Sequence, residues 1–143
     1  MQKGMSIIVK TMTRIVISFI FIYGASIILY GHLTPGGGFP GGVIIACGFV
    51  LLTLAFGKEE TLKKLSIHWS EALDSTGSII YLSGALLGYF GGWFFFNFLE
   101  HGILRQLISA GIIPIYNIAI GIKVCASLFL AFISLSMFRR STE

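Results

Sequence analysis

Between Ile15 and Gly57 the chain contains no Asp, Glu, Lys or Arg. The same holds from Ser75 to Leu99, and from Gln106 to Phe138 Lys123 is the only charge. Charged residues make up 11% of the 143 residues, where a soluble domain carries about a quarter. Such scarcity excludes a hydrated globular surface. Cysteine is equally sparse: Cys47 and Cys125 stand far apart and outside any Cys-x-x-Cys pattern, so neither a disulfide framework nor a dithiol redox centre is expected. His32, His68 and His101 fall at three different span boundaries, with no spacing suited to haem or zinc. No nucleophile stands beside a base. The sequence therefore predicts no catalytic centre, no metal site and no cofactor.

What is present is apolar length. Hydrophobic residues reach 55% and the mean hydropathy is +0.90. A bilayer core of about 30 Å needs about 20 apolar residues per helix. Four such runs are predicted, at roughly 14–30, 39–57, 77–99 and 113–137, making residues 1–143 a single all-α, four-helix integral membrane domain. The first run outlasts a signal-peptide core of about 7–15 residues and lacks a clear cleavage site, so it is read as a retained helix.

Basic residues set the expected orientation. Four spans put both termini and the 58–74 connection on one side, with Lys3, Lys10, Arg14, Lys58, Lys63, Lys64, Arg139 and Arg140; the other side has only Arg105. The positive-inside rule then makes both termini cytoplasmic. The net charge of +4 is topological and calls for no nucleic acid. Leu62, Leu65, Trp69 and Leu73 recur at helical spacing and predict a short amphipathic interfacial helix between spans two and three. Asp74-Ser75-Thr76 offers N-cap chemistry for span three. The aromatics from Tyr89 to Phe98 fit an interfacial belt at its far end.

The stretch "GHLTPGGGFPGGV", residues 31–43, holds six glycines and two prolines. Pro40 suits the first turn of span two, where a missing N–H costs nothing. Gly38, Gly42 and Ala46 share one helical face, as do Gly84, Gly88 and Gly92 in span three. Lipid offers no hydrophobic drive for helix association, so small residues act by letting backbones approach. These ridges predict tight packing, between the two helices or against other subunits. A phosphate cradle is the alternative for glycines at a helix start, but no Lys-Ser/Thr follows Gly36, Gly37, Gly38, Gly41 and Gly42. His32 opens this stretch at a water-facing depth, where hydrogen bonding in the turn is expected.

"NIAIGIKV", residues 117–124, places Lys123 close to the middle of the fourth span. A charge at that depth costs about 2.5–3.5 kcal/mol on insertion scales. Reading Asp74 and Glu100 as span ends leaves the lysine without an obvious partner in the chain. Backbone carbonyls and water, neutralisation, or an acid from another protein are the remaining options. Stepping at about 100° per residue, Tyr116, Ala119 and Ser127 share the face of Lys123, whereas Asn117 lies nearer Gly121 and Cys125.

These two stretches, within a four-span plan, resemble the B subunit of Mrp/Mnh-type multisubunit sodium/proton antiporters. That subunit type also occurs in the antiporter-like modules of archaeal membrane-bound hydrogenases and related ferredoxin-driven complexes. The resemblance covers nearly the whole chain, and its glycine motif is distinctive. It implies a small, non-catalytic, multi-pass subunit of the cell membrane, helping to build a sodium or proton path beside larger antiporter-like subunits. Lys123, Asn117, Tyr116 and His32 are then candidates for an ion pathway or an inter-subunit polar contact. A scaffold that only holds neighbouring membrane subunits together is the alternative.

Overall fold

The structure, a computed structural model, describes residues 5–97, 99 and 110–141. Lys3, Phe98, Glu100, His101 and Arg105, which entered the sequence argument, lie outside the described residues. Five helices follow in order: α1 (Ile7–Tyr30), α2 (Gly38–Phe56), α3 (Lys58–Lys64), α4 (Ile67–Tyr89) and α5 (Ile113–Ser141), with no strand among the described residues. Three of them, α1, α2 and α5, are long and apolar enough to cross a membrane.

The last helix occupies the middle. α2 packs against α1 on one side and α5 on the other, α4 packs against the far side of α5, and α1 also touches α5. Phe21 of α1, Phe49 of α2 and Phe129 of α5 form a run of tilted rings, with centroids 5.1 and 5.7 Å apart. Phe129 and Ile133 of α5 are fully buried beside it. The outward faces of α1 and α4 stay apolar and exposed, as in Phe19, Ile22, Ile79 and Leu82.

The connection between α2 and α4 departs from expectation. A short helix does exist, but the predicted stripe of Leu62, Leu65, Trp69 and Leu73 is not one element. Leu65 is extended (φ −135°, ψ 95°) and separates α3 from α4. Ser66, rather than Asp74-Ser75-Thr76, is the N-cap of the next helix: its side chain accepts a hydrogen bond from the Trp69 N–H at 3.3 Å. α4 therefore begins ten residues before the expected start at 77, and Asp74 lies two turns inside it.

α4 also ends early, at Tyr89 rather than near residue 99. Gly92 has φ +109° and Phe95 has φ +61°, so the chain turns where the sequence suggested continued helix. The turn folds back onto the helix, with the Phe95 N–H directed at the Ala85 carbonyl at 3.5 Å. Further on, Asn97 donates to the Ala110 carbonyl (3.1 Å) and accepts from the Ile112 N–H (3.0 Å), fixing the approach to α5.

Candidate functional site

α5 presents two different faces to its two neighbours, and the glycine motif serves the first. A Cβ added at Gly38 would meet the backbone carbonyl of Asn117, and one at Gly42 would come within 2.6 Å of the Gly121 carbonyl. Gly41, one residue earlier, faces the other way, toward Ile28 and the Gly24 carbonyl of α1. The motif thus lets two neighbours approach one helix, consistent with close packing of small residues in lipid. Gly37 has φ +132°, a conformation that only glycine adopts readily, and this turn starts α2.

Asn117 completes that helix start. The Gly38 N–H donates to Asn117 Oδ1 at 3.4 Å, so an α2 amide with no partner in its own helix is met by a side chain from α5. A donor facing the amide requires its oxygen on that side. Asn117 Nδ2 is buried with no hydrogen-bond partner among the described residues. His32 is half-buried in the turn that leaves α1. Pro40 sits in the first turn of α2.

The opposite face of α5 carries the polar cluster. Lys123 Nζ donates to Asp74 Oδ1 at 3.1 Å and to Ser78 Oγ at 2.7 Å, both on α4. Ser127, one turn along α5, donates to the same Asp74 oxygen. The expectation of an unpartnered lysine is therefore corrected: its partner is in the chain, brought level with it because α4 begins at Ile67. Gly77 makes the approach possible, since a Cβ there would meet the Ala119 carbonyl at 2.7 Å and Lys123 Cβ at 2.9 Å. Lys123 and Asp74 are both half-buried.

Two turns along α5 from Lys123, Tyr116 lies on the same face. Its ring meets Tyr81 at a tilt (centroids 5.0 Å) and Phe95 edge-on (5.9 Å) and covers Gly84, whose added Cβ would come within 2.7 Å of it. The Tyr116 hydroxyl is buried without a hydrogen-bond partner among the described residues. Asp74, Ser78 and Tyr81 at i, i+4 and i+7 on α4 thus oppose Ser127, Lys123 and Tyr116 on α5, forming one polar seam. Lys123 and Tyr116 belong to this seam, while Asn117 faces α2.

The glycine ridge of span three divides. Gly84 packs under Tyr116, and Gly88 lies under the Phe96 backbone of the returning turn. Gly92 lies beyond the helix, and a Cβ there would meet nothing within 4 Å; it shapes a turn rather than a packing face. Asp74, Ser78 and Gly77 are the seam residues that sequence reasoning missed. Their i, i+3, i+4 spacing would have shown them as one helical face had the helix start been placed at Ser66.

Comparison with known proteins adds the family context. Residues 8–130 match a domain described as related to the MnhB subunit of Na+/H+ antiporter. A Staphylococcus epidermidis protein named as antiporter subunit mnhB2 is 33% identical over 108 residues, 76% of each chain. Its namesake in Staphylococcus aureus is 28% identical over 94% of this chain and 97% of its own. An uncharacterized protein of Methanocaldococcus jannaschii is 42% identical over 120 residues, and there the match spans 79% of this chain but 45% of the relative. A chain in the solved structure of the membrane-bound sulfane sulfur reductase, an archaeal respiratory membrane complex, superposes with a TM-score of 0.79 at 34% identity. It covers 92% of this chain and 58% of that one.

Proposed function

The chain belongs to the MnhB family of multi-pass membrane subunits, and on that premise we propose that it is a non-catalytic subunit of a cation/proton antiporter module within a larger membrane complex. Its neighbours are the other membrane subunits of that module, and it contributes to the passage of Na+ or H+. Both termini are cytoplasmic, and α4 is the third of four transmembrane helices, crossing with Asp74 inside it.

The observation that carries this reading is the cluster of Lys123, Asp74, Ser78 and Ser127. Ionisable residues at membrane depth are costly, and they mark ion paths and proton relays. Packing α4 against α5 needs no such group; a small or apolar residue would serve. An ammonium and a carboxylate, each bridged to a hydroxyl, form a set whose protons and charges can be exchanged. The Tyr81 and Tyr116 rings continue the polar seam beyond it. The archaeal respiratory complex among the structural neighbours supports a redox-driven parent complex as the setting.

The test is Na+- or H+-coupled flux in vesicles, with subunit content checked by blotting. Lys123→Ala is expected to impair flux while the complex still assembles. Lys123→Arg keeps a charge but holds its proton at any accessible pH. Failure of Lys123→Arg to restore flux marks a lysine that must release its proton, and rescue marks a fixed charge beside the path. Normal flux in Lys123→Ala would overturn the reading, and loss of assembly would leave a scaffold.

A further inference from the structure

A second polar feature lies at the other end of the α1–α2 pair and does not depend on the reading above. α3 closes over the end of α2, and between them and α1 is a cavity of about 100 Å³ lined by Arg14, Leu52, Phe56, Glu60 and Lys64. That volume has room for several waters' worth of ligand. Its walls differ in character. Leu52 and Phe56 form an apolar base, while Arg14 and Lys64 bring positive charge from two different helices.

The cations around this cavity outnumber their acceptors. The Arg14 guanidinium lies over the Phe56 ring at 5.2 Å, and Lys10, one turn earlier on α1, lies over the same ring at 5.8 Å. A cation–ring contact uses none of the five N–H donors of the guanidinium, so they remain able to meet an acceptor. Among the described residues, neither Arg14 nor Lys64 has an ion pair or a side-chain hydrogen bond. The one acid in the wall, Glu60, is already engaged by Lys63 at 3.0 Å. That hydrogen bond, and after it the Lys63 charge, hold the Glu60 carboxyl below its ordinary range, with smaller contributions from Lys64 and Lys10.

We propose that this cavity is a binding site for the phosphate of an anionic phospholipid headgroup, held between Arg14 and Lys64. Lys10 lies close enough to add to the field, and Leu52 and Phe56 would receive the first carbons of the lipid backbone. An oxyanion supplies acceptors for the unused donors of Arg14 in a planar, charge-assisted arrangement. The location fits a membrane lipid rather than a soluble anion. The charged helix α3 marks this end as the level of the headgroups, and basic pockets between transmembrane helices are established places for anionic headgroups.

The test uses the protein in vesicles of mixed phosphatidylglycerol and phosphatidylcholine, doped with a photoactivatable phosphatidylglycerol, followed by peptide mapping. Labelling is expected in the peptides that contain Arg14 and the 52–64 segment, competed by unlabelled phosphatidylglycerol and not by inorganic phosphate. Lys64 is an exposed residue of α3, so Lys64→Glu leaves the helix packing intact while reversing the charge. It is expected to lower labelling about tenfold, the equivalent of ~1.4 kcal/mol. Glu71→Gln, an exposed change on α4 outside the cavity wall, is expected to change labelling far less. Unchanged labelling in Lys64→Glu, or equal competition by phosphatidylcholine, would overturn the proposal. Competition by inorganic phosphate would overturn the lipid assignment.

Discussion

The two faces of α5 solve the same problem by opposite means. Toward α2 the contact is backbone against backbone: Gly38 and Gly42 remove every atom that would hold the helices apart, and one hydrogen bond, Gly38 N–H to Asn117, caps a helix start. Toward α4 the contact is made by polar side chains, with Lys123 reaching Asp74 and Ser78, and Gly77 clearing the space for them. The first arrangement is rigid, because a carbonyl cannot move aside. The second is held by groups that can exchange partners. In a solvent as apolar as the side chains themselves, close packing fixes position and polar contact gives chemistry. One helix does both by using different sides.

That contrast is tested most severely at the close-packed side. Gly42→Leu places a branched side chain where a Cβ alone would lie 2.6 Å from the Gly121 carbonyl and 3.2 Å from its Cα. Overpacking typically costs 1–3 kcal/mol, more where the opposing atoms cannot yield, so a loss of about 3 kcal/mol or more is expected. Thermal unfolding of the purified protein in detergent would read it. A melting temperature equal to the parent's would mean that α2 does not sit this close to α5.

At the polar side the effect is smaller and reversible by design. Asp74→Ala leaves the Lys123 ammonium with Ser78 alone, and the loss approaches the ~2.5–3.5 kcal/mol of an uncompensated charge at membrane depth. Removing both charges, in Asp74→Ala with Lys123→Met, is expected to recover most of that loss. A double-mutant cycle on unfolding free energy measures the coupling directly, and strict additivity of the two changes would show that the residues do not act as a pair.

The smallest effect is expected at Gly92, which lies on neither face. Its φ of +109° disfavours a side chain, but a Cβ would meet nothing. Gly92→Ala should therefore cost about 1 kcal/mol, through backbone conformation alone. Gly88→Ala, against the Phe96 backbone, should cost more. A Gly92 variant worse than the Gly88 variant in the same unfolding assay would restore Gly92 to a packing ridge.

The sequence shows the all-helical class and the positions of α1, α2 and α5 clearly, because uninterrupted apolar length is a strong signal. The 38–42 glycine face was readable too, since four-residue spacing survives translation into geometry, but its partner was not: it packs on α5 rather than on the third span or another subunit. α4 was harder. Asp74-Ser75-Thr76 reads as a cap because Asp, Ser and Thr favour helix starts, yet Ser66 takes that role eight residues earlier. From that one displacement followed the misreading of Asp74 as a span end and of Lys123 as unpaired. The far end failed for a related reason: nothing in a run of aromatics announces that Phe95 will adopt a positive φ. Pairing across helices depends on register, and register between α4 and α5 is set by tertiary contacts that periodicity alone does not contain.

The central position of α5 also bears on how the chain is made. α2 leaves the ribosome with its glycine face open, and α4 follows with a carboxylate that has no cation to meet. Both wait for α5, which follows them in the chain. At translation rates of about 5–20 residues per second, the interval between the end of α2 and the end of α5 is roughly 4–17 s. Throughout that interval the partly built protein leaves the α2 glycine groove uncovered and Asp74 without Lys123. The order of the helices in space, being unlike their order in the chain, makes membrane insertion a holding operation that the arrival of α5 releases.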